Sequence, residues 1–309
     1  MLEAVFLSPF KDMVGAPTFL MEVLIGGVAA GLMYSLVALG FVLIFKASGV
    51  FNFAQGVMVL FAALTLVGLT ERGVPVVLSL LLTMVVMVAL AFAIERVVLR
   101  PLVNQEHIIL FMATIGLSFF LEGFGELLWG SNVKKLDFGI PDTSFMVRGV
   151  QVNKLEMIAA LTAAVLVTIL AVFFQKTRVG RALRAVADDH EAALSIGIPL
   201  KTIWVVVWSV AGLVALVAGI MWGAKSGVQF SLSLIALKAL PVLILGGFTS
   251  VPGAIVGGVI IGVGEKLGEV YWGPLVGGAI ENWFAYVLAL VFLLFRPQGL
   301  FGERIIERV

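Results

Sequence analysis

The sequence VLIFKASGVFNFAQG, residues 42–56, contains the interruption of a long apolar run, and the interpretation of the whole chain starts from this interruption. The run ends at Lys46, Gly49 loosens the backbone, and Asn52 and Gln55 then enter the next apolar run. In hydrocarbon an unpaired amide costs roughly several kcal/mol, so such side chains normally face a neighbouring helix or a watery path.

Asn52, Gln55 and Gly56 are predicted to share one helix face, because Gln55 and Gly56 follow Asn52 by three and four residues. A polar face bordered by glycine, next to an interrupted helix, is how membrane proteins form a path for a solute. In the alternative interpretation the two amides only hydrogen-bond across a helix–helix interface. These residues alone leave both interpretations open.

The amino-acid composition indicates that most of the chain lies in a lipid bilayer. The chain is 61% hydrophobic and 13% charged with a mean hydropathy of +1.15, whereas soluble domains are about 45–50% apolar and about 25% charged. We therefore expect an all-α, polytopic integral membrane protein that forms a single domain over residues 1–309, with about eight or nine transmembrane or re-entrant segments of the length a bilayer demands. The apolar segments are 19–45, 49–69, 76–99, 108–129, 156–174, 202–223, 232–247, 251–264 and 280–295.

The segments between 232 and 268 are expected to form a broken hairpin, short enough to be re-entrant. The turn sequence GGFTSVPG joins its two halves. Gly246, Gly247, Pro252 and Gly253 are interpreted as structural residues that permit a tight turn and close backbone packing.

Lysine and arginine counts set the predicted orientation, since cations concentrate on the cytoplasmic side. The loop 175–201 and the C-terminus are placed in the cytoplasm, and the loop 130–154 on the other side. We expect a multi-pass membrane protein with this orientation.

Several kinds of chemistry are excluded. There is no cysteine, and the two histidines, His107 and His190, lie far apart without a metal-binding motif, so no metal or cofactor is expected. The segment GAKS at 223–226 lacks the glycine that precedes the lysine of a nucleotide-binding loop, so the chain is not expected to be an ATPase or another enzyme. A formal net charge of +1 gives no reason to expect a nucleic-acid partner.

The loop 175–201 is predicted to contain a short helix, because residues 180–195 include no helix breaker. Its cations precede its acids, which opposes the preference of the helix dipole. We interpret the loop as a helix that docks on a partner. The alternative is an ordinary solvated loop, held at the membrane by anionic lipid.

Three isolated charges have simpler explanations. Lys238 is expected to extend its ammonium group to the membrane interface. Glu265 and Glu269 are expected at a hairpin end in solvent.

Four stretches carry a family resemblance. They are GLMYSLVALGFVLIFKASGVFNFAQG at 31–56, GRALRAVADDHEAALSIGI at 180–198, LPVLILGGFTSVPGAIVGG at 240–258 and RPQGLFG at 296–302. In order and spacing they resemble the permeases of branched-chain amino acid ABC importers, the LivH type more than the LivM type. Two positions depart from that pattern: Gln55 stands where many relatives have histidine, and Pro199 where asparagine is common.

The resemblance implies an importer with two permease subunits, here this chain and a LivM-like partner, two cytoplasmic ATPases that bind the ATP, and an extracytoplasmic solute-binding protein. It places the chain in the bacterial inner membrane, with Asn52, Ala54 and Gly56 on the substrate path. Gln55 is added to this predicted path because it lies on the polar face described above. The coupling helix would include Gly180, Arg181, Arg184, Ala185, Ala187, Asp188 and Gly197. Because Gln55 departs from the family pattern, urea, short amides or other amino acids remain alternative solutes. The alternative function from another class is a secondary transporter driven by an ion gradient.

Overall fold

A computed structural model describes residues 7–102, 105–137, 139, 143–188, 193 and 195–302. Its helices are α1 (Ser8–Gly15), α2 (Pro17–Ser48), α3 (Gln55–Glu71), α4 (Val76–Ala93), α5 (His107–Trp129), α6 (Lys154–Lys176), α7 (Arg178–Asp188), α8 (Leu200–Ser226), α9 (Ile235–Gly246), α10 (Val251–Leu267), α11 (Gly273–Val276) and α12 (Phe284–Phe295). Single turns of other helix types extend several of them. These are the π-helical segments Ile94–Leu99 and Gly268–Trp272 and the 3-10 segments Arg100–Leu102, Phe230–Leu234 and Ile280–Asn282.

The predicted all-α membrane class is confirmed. Within the described residues, six helices are long and apolar enough to cross a bilayer, and three shorter apolar helices accompany them. The long ones are Pro17–Ser48, Val76–Leu102, His107–Trp129, Lys154–Lys176, Leu200–Ser226 and Val251–Val276, and the shorter ones are Gln55–Glu71, Phe230–Gly246 and Phe284–Phe295. Together they account for the segments expected from hydropathy.

One small β-hairpin was not predicted. Strands β1 (Ser144–Val147) and β2 (Val150–Asn153) pair antiparallel within the loop that joins α5 to α6. Both turn residues have positive φ, 51° at Arg148 and 84° at Gly149, the backbone that two-residue hairpin turns of type I′ require.

The contacts divide the chain into two compact units. Unit 1 comprises Met1–Ser35, Gly139–Ala164 and Lys238–Val309, and unit 2 comprises Leu36–Phe138 and Val165–Leu237. That the whole chain acts as a single permease domain stays a prediction.

Close helix packing at small residues holds unit 1. A Cβ atom on Gly31 of α2 would overlap the carbonyl of Gly258 on α10. The Ser35 hydroxyl donates to the Ala254 carbonyl across the same pair of helices at 3.0 Å. In hydrocarbon, where apolar surfaces gain little by meeting each other, such close backbone approach and interhelical hydrogen bonds supply the association.

Unit 2 is built around α3. All residues from Gln55 to Gly68 of this helix are buried, and α4, α5 and α8 pack around it. On α8, Gly219 lies against the Val59 carbonyl, so a side chain there would collide with the α3 backbone. A helix enclosed by protein on all sides can hold polar side chains that lipid would not tolerate.

Candidate functional site

The segment between α2 and α3 positions the two predicted amides. Gly49, with φ at 67°, ends α2, and the next helix begins only at Gln55. The Asn52 Oδ1 atom accepts the Ala54 N–H at 3.1 Å, as an Asn side chain does when it competes with regular helix hydrogen bonds. The prediction that Asn52 shares a helix face with Gln55 and Gly56 is therefore wrong, because Asn52 lies in the turn before the helix.

The turn nevertheless brings the two amides together. Asn52 and Gln55 are both fully buried, which confirms the expectation that they face the interior. The Asn52 Nδ2 atom donates to Gln55 Oε1 at 3.4 Å and to Met58 Sδ at 3.6 Å. The Gln55 Nε2 atom has no hydrogen-bond partner among the described residues. A buried donor left unpaired costs about 1–3 kcal/mol, so this amide is not placed for stability alone.

Two glycines make room at this site. A Cβ atom on Gly40 of α2 would collide with the Gln55 amide, and one on Gly56 would overlap the Ser233 carbonyl. Gly40 was not among the predicted site residues. The sequence offered one indication of its role: a glycine inside a helix costs about 1 kcal/mol of stability relative to alanine, so its presence there suggests a packing requirement.

Aromatic residues lie next to the amides in the sequence and pack on one another. Phe41 stacks on Phe51 with 4.7 Å between ring centroids. The Phe53 N–H donates to Thr114 Oγ1 on α5 at 3.1 Å, which fixes the turn against a third helix. The site in unit 2 is thus a buried amide pair with one donor unpaired among the described residues, and Gly40 and Gly56 allow close packing around it.

Helix α7 is the second candidate element, and it begins two residues before the predicted Gly180. Leu183 and Val186 are buried on its inner face, which packs on α8. Gly180 lies against the Phe174 carbonyl of α6, where a Cβ atom would overlap the backbone. Helix α7 therefore packs against the end of α6 and against α8.

Two arginines of α7, Arg181 and Arg184, bind the end of the preceding helix. Arg184 donates to the carbonyl oxygens of Phe174 at 2.8 Å and Gln175 at 3.5 Å, and Arg181 to that of Lys176 at 3.3 Å. The last carbonyls of a helix lack intrahelical partners and carry partial negative charge, so cations stabilise them. The order of charges that sequence analysis attributed to docking thus has an intramolecular cause as well.

The remaining predicted coupling residues lie on or after α7. Ala185 and Ala187 are half-buried, and the backbone of Asp188 closes the helix. Gly197 is exposed with φ at 84°, a conformation that favours glycine. Residues 189–192 of the predicted helix lie outside the described part of the chain.

The hairpin glycines provide close packing, in agreement with their structural interpretation. A Cβ atom on Gly246 would overlap the backbone of Gly253, and vice versa. The Ser250 hydroxyl accepts the Gly253 N–H at 3.0 Å and so caps α10, with Pro252 in the first turn. Gly247 has φ at 103°.

The C-terminal segment folds back onto this hairpin. The N–H groups of Leu300 and Phe301 donate to the carbonyls of Leu245 and Gly246 at 2.8 and 3.2 Å. The otherwise unpaired carbonyls at the end of α9 are thereby satisfied.

The expectation that Glu265 faces solvent is wrong. Glu265 is only 4% exposed, because α10 does not end there but continues through Gly268–Trp272 into α11. Glu269, by contrast, caps the following turn and accepts the N–H groups of Ala279 and Glu281, each at 3.1 Å.

A cavity of about 830 Å³ opens in unit 1 between the start of α2, the β-hairpin and the start of α6. Glu22 and Glu156 line it, and Glu22 Oε1 accepts the Gln151 N–H at 2.6 Å. The carboxylate of Glu22 thus pins the hairpin to α2.

Comparison with known proteins gives a consistent result. The family model described as the permease component of branched-chain amino acid transport systems matches residues 23–296. The high-affinity branched-chain amino acid transport system permease protein LivH of Escherichia coli is 29% identical over 310 residues, with 94% of this chain and 98% of the relative covered. BraD of Pseudomonas aeruginosa, a protein of the same description, is 28% identical over 304 residues, with 94% and 98% covered. The probable branched-chain amino acid transport permease protein LivH of Methanocaldococcus jannaschii is 30% identical over 287 residues, with 86% and 88% covered.

Proposed function

Because this chain belongs to the family of permease components of branched-chain amino acid transport systems, we propose that it forms one half of the translocation path of an ATP-driven importer. Its solute is a branched-chain or related amino acid. The other half of the path is a second, LivM-like permease. Two cytoplasmic ATPases supply energy, and an extracytoplasmic binding protein delivers the solute.

The anchoring of α7 carries this proposal. An importer without an ATPase site of its own needs a rigid element through which a partner can move the membrane helices. Gly180 and Arg184 connect α7 to the end of α6, and its apolar face rests on α8. A displacement of α7 by an ATPase would pass into both helices, because packed interfaces transmit rigid-body shifts.

The buried amides support the placement of the path. Polar side chains inside a membrane bundle either hydrogen-bond between helices or line a pathway, and a buried amide with an unpaired donor favours the pathway. In unit 2 the Gln55 amide has an unused donor, and Gly40 and Gly56 let neighbouring backbone approach it closely. A change in the packing of α2 against α3 would offer this donor to a passing solute.

Membrane placement completes the proposal. The protein crosses the inner membrane many times, with α7 and the C-terminus in the cytoplasm. Exposed apolar side chains on the outer helices, such as Val85, Phe119 and Leu161, suit contact with lipid tails. The β-hairpin between α5 and α6 then lies on the side from which the binding protein arrives.

Uptake into proteoliposomes tests the function. The permease pair is reconstituted with its ATPases and saturating binding protein, and tritiated L-leucine uptake is measured with ATP inside the vesicles. We expect uptake that requires ATP, both ATPases and the binding protein. Matched vesicles receive a sodium or proton gradient without ATP, and uptake driven by that gradient alone would refute the proposal.

A further inference from the structure

A polar cluster in unit 1 is separate from the two elements described above. It consists of Tyr34 on α2, Lys238 on α9 and Glu265 on α10. Tyr34 and Glu265 are 5% and 4% exposed. The Tyr34 hydroxyl donates a hydrogen bond to the Glu265 carboxylate.

The Lys238 ammonium group completes the cluster. Its Nζ atom lies 5.9 Å from the centre of the Tyr34 ring and donates to the Glu281 carbonyl at 3.4 Å. The prediction that Lys238 only extends to the membrane interface missed these partners. Lysine over an aromatic face gains about 0.5–1 kcal/mol or more, which holds the cation at a fixed place.

Lys238 and the Glu265 carboxyl group lie near each other without a direct ion pair. Lys238 and Glu265 influence each other electrostatically, yet no ion pair within 4.0 Å joins these two described residues. The Glu265 Oε1 atom also has no hydrogen-bond partner within the described part of the chain. A buried carboxylate with an unused oxygen is costly unless another group binds it.

We propose that Tyr34, Lys238 and Glu265 form a subsite for the zwitterionic head of an α-amino acid. The solute's ammonium group binds the free oxygen of Glu265, and its carboxylate binds Lys238. Tyr34 positions the carboxylate of Glu265 by its hydrogen bond. This inference rests on the proposed transport function and deepens it, since it assigns recognition of the solute to the permease as well as to the binding protein.

The chemistry favours a zwitterion over a simple ion. A carboxylate alone would select amines, and an ammonium group alone would select acids. A cation and an anion at one place select a molecule that carries both charges, and the pairing at Glu265 is strengthened by the burial of that residue. Since Glu265 is buried in this conformation, the solute reaches it only when the helices of unit 1 separate during the transport cycle.

The test uses the reconstituted complex with saturating binding protein. Glu265→Gln and Lys238→Met each remove one charge, and Tyr34→Phe removes the positioning hydrogen bond. We expect ATP-driven L-leucine uptake to fall at least about 10-fold in the first two variants, and less in the third. Lys238→Arg keeps the cation and should restore most of the uptake. Glu126→Gln, the same change on an exposed residue of α5, is the control and should leave uptake intact.

Direct binding separates recognition from structure. The purified permease complex without binding protein is labelled with photo-leucine, a diazirine analogue. We expect labelled peptides from α9 or α10 that excess L-leucine suppresses, while isoamylamine, which lacks the carboxylate, and 4-methylpentanoate, which lacks the ammonium group, do not. Glu265→Gln should abolish this label at an unchanged melting temperature.

Three outcomes would overturn the subsite. The first is wild-type uptake in Glu265→Gln and Lys238→Met, and the second is photo-leucine labelling that these changes do not affect. The third is a loss of uptake that is accompanied by a lower melting temperature and that Lys238→Arg does not restore. If the wild-type complex itself shows no ATP-driven uptake, the proposed function fails instead. The two failures are therefore distinguishable.

Discussion

The Arg184 guanidinium group on α7 donates a hydrogen bond to the Phe174 carbonyl at the end of α6, at 2.8 Å. This bond connects a short helix outside the spans to a helix long enough to cross the membrane. It gives the proposed coupling helix a defined attachment to α6, and it can be broken by one substitution.

Charge reversal at this attachment should release α7. Arg184→Glu places an anion beside helix carbonyls that carry partial negative charge, a change that costs about 1–2 kcal/mol. We expect weaker co-purification of the ATPases and reduced uptake, with normal insertion into the membrane. Arg178→Glu alters an exposed arginine on the same helix and serves as control. Equal effects of the two variants would contradict the anchoring role.

Glycine packing can be tested by a pair of identical changes. In Gly56→Ala the new methyl group would overlap the Ser233 carbonyl, whereas at Gly116 on α5 the space is open. We expect Gly56→Ala to destabilise the protein by about 1–3 kcal/mol, and Gly116→Ala to leave stability unchanged or slightly increased. Thermal unfolding followed by tryptophan fluorescence measures both, and equal melting temperatures would contradict the packing at Gly56.

The two interpretations of the amide pair differ in their consequences. Gln55→Met keeps the volume and removes the unpaired donor, but it also removes the Oε1 acceptor of the long hydrogen bond from Asn52, so stability should change little. If the amide belongs to the solute path, uptake should fall at least about 10-fold. Normal uptake with a lower melting temperature would instead assign the amide to helix–helix association.

Membrane orientation can be read by labelling, because the chain contains no cysteine. Ser195→Cys follows α7 and Ser131→Cys follows α5, and both positions are exposed. A membrane-impermeant maleimide added to intact cells should label Ser131→Cys, and should reach Ser195→Cys only after the membrane is opened. The reverse pattern would invert the topology.

The sequence predicted the helices well because hydropathy over about 20 residues is a strong signal. It predicted the β-hairpin poorly, since Arg148 at a positive φ replaces the Asn or Asp that normally marks such a turn. The turn at Asn52 was also missed, because an apolar segment that contains one asparagine has the same hydropathy whether or not it is helical.

The polar cluster of Tyr34, Lys238 and Glu265 could not be predicted from the sequence for a different reason. Glu265 stands beside Lys266 near the end of an apolar run, a pattern typical of a helix end in solvent. Its burial depends on the π-helical continuation Gly268–Trp272 and on Tyr34, more than 200 residues earlier in the chain. Such long-range contacts leave no local pattern. The helix α7 was easier to predict, because residues 180–195 include no helix breaker. The order of its charges, which opposes the dipole preference, is explained in part by the hydrogen bonds of Arg181 and Arg184 to the end of α6.

The central claim is that energy enters through α7, and the labelling of Ala185→Cys tests it most directly. Maleimide labelling is measured in membranes with and without the ATPase subunits, with Ser131→Cys as the reference on the opposite side. The account predicts that assembly protects Ala185→Cys and leaves Ser131→Cys unchanged. If Ala185→Cys is labelled at the same rate in a complex that transports L-leucine, α7 does not receive the ATPase and the account is contradicted.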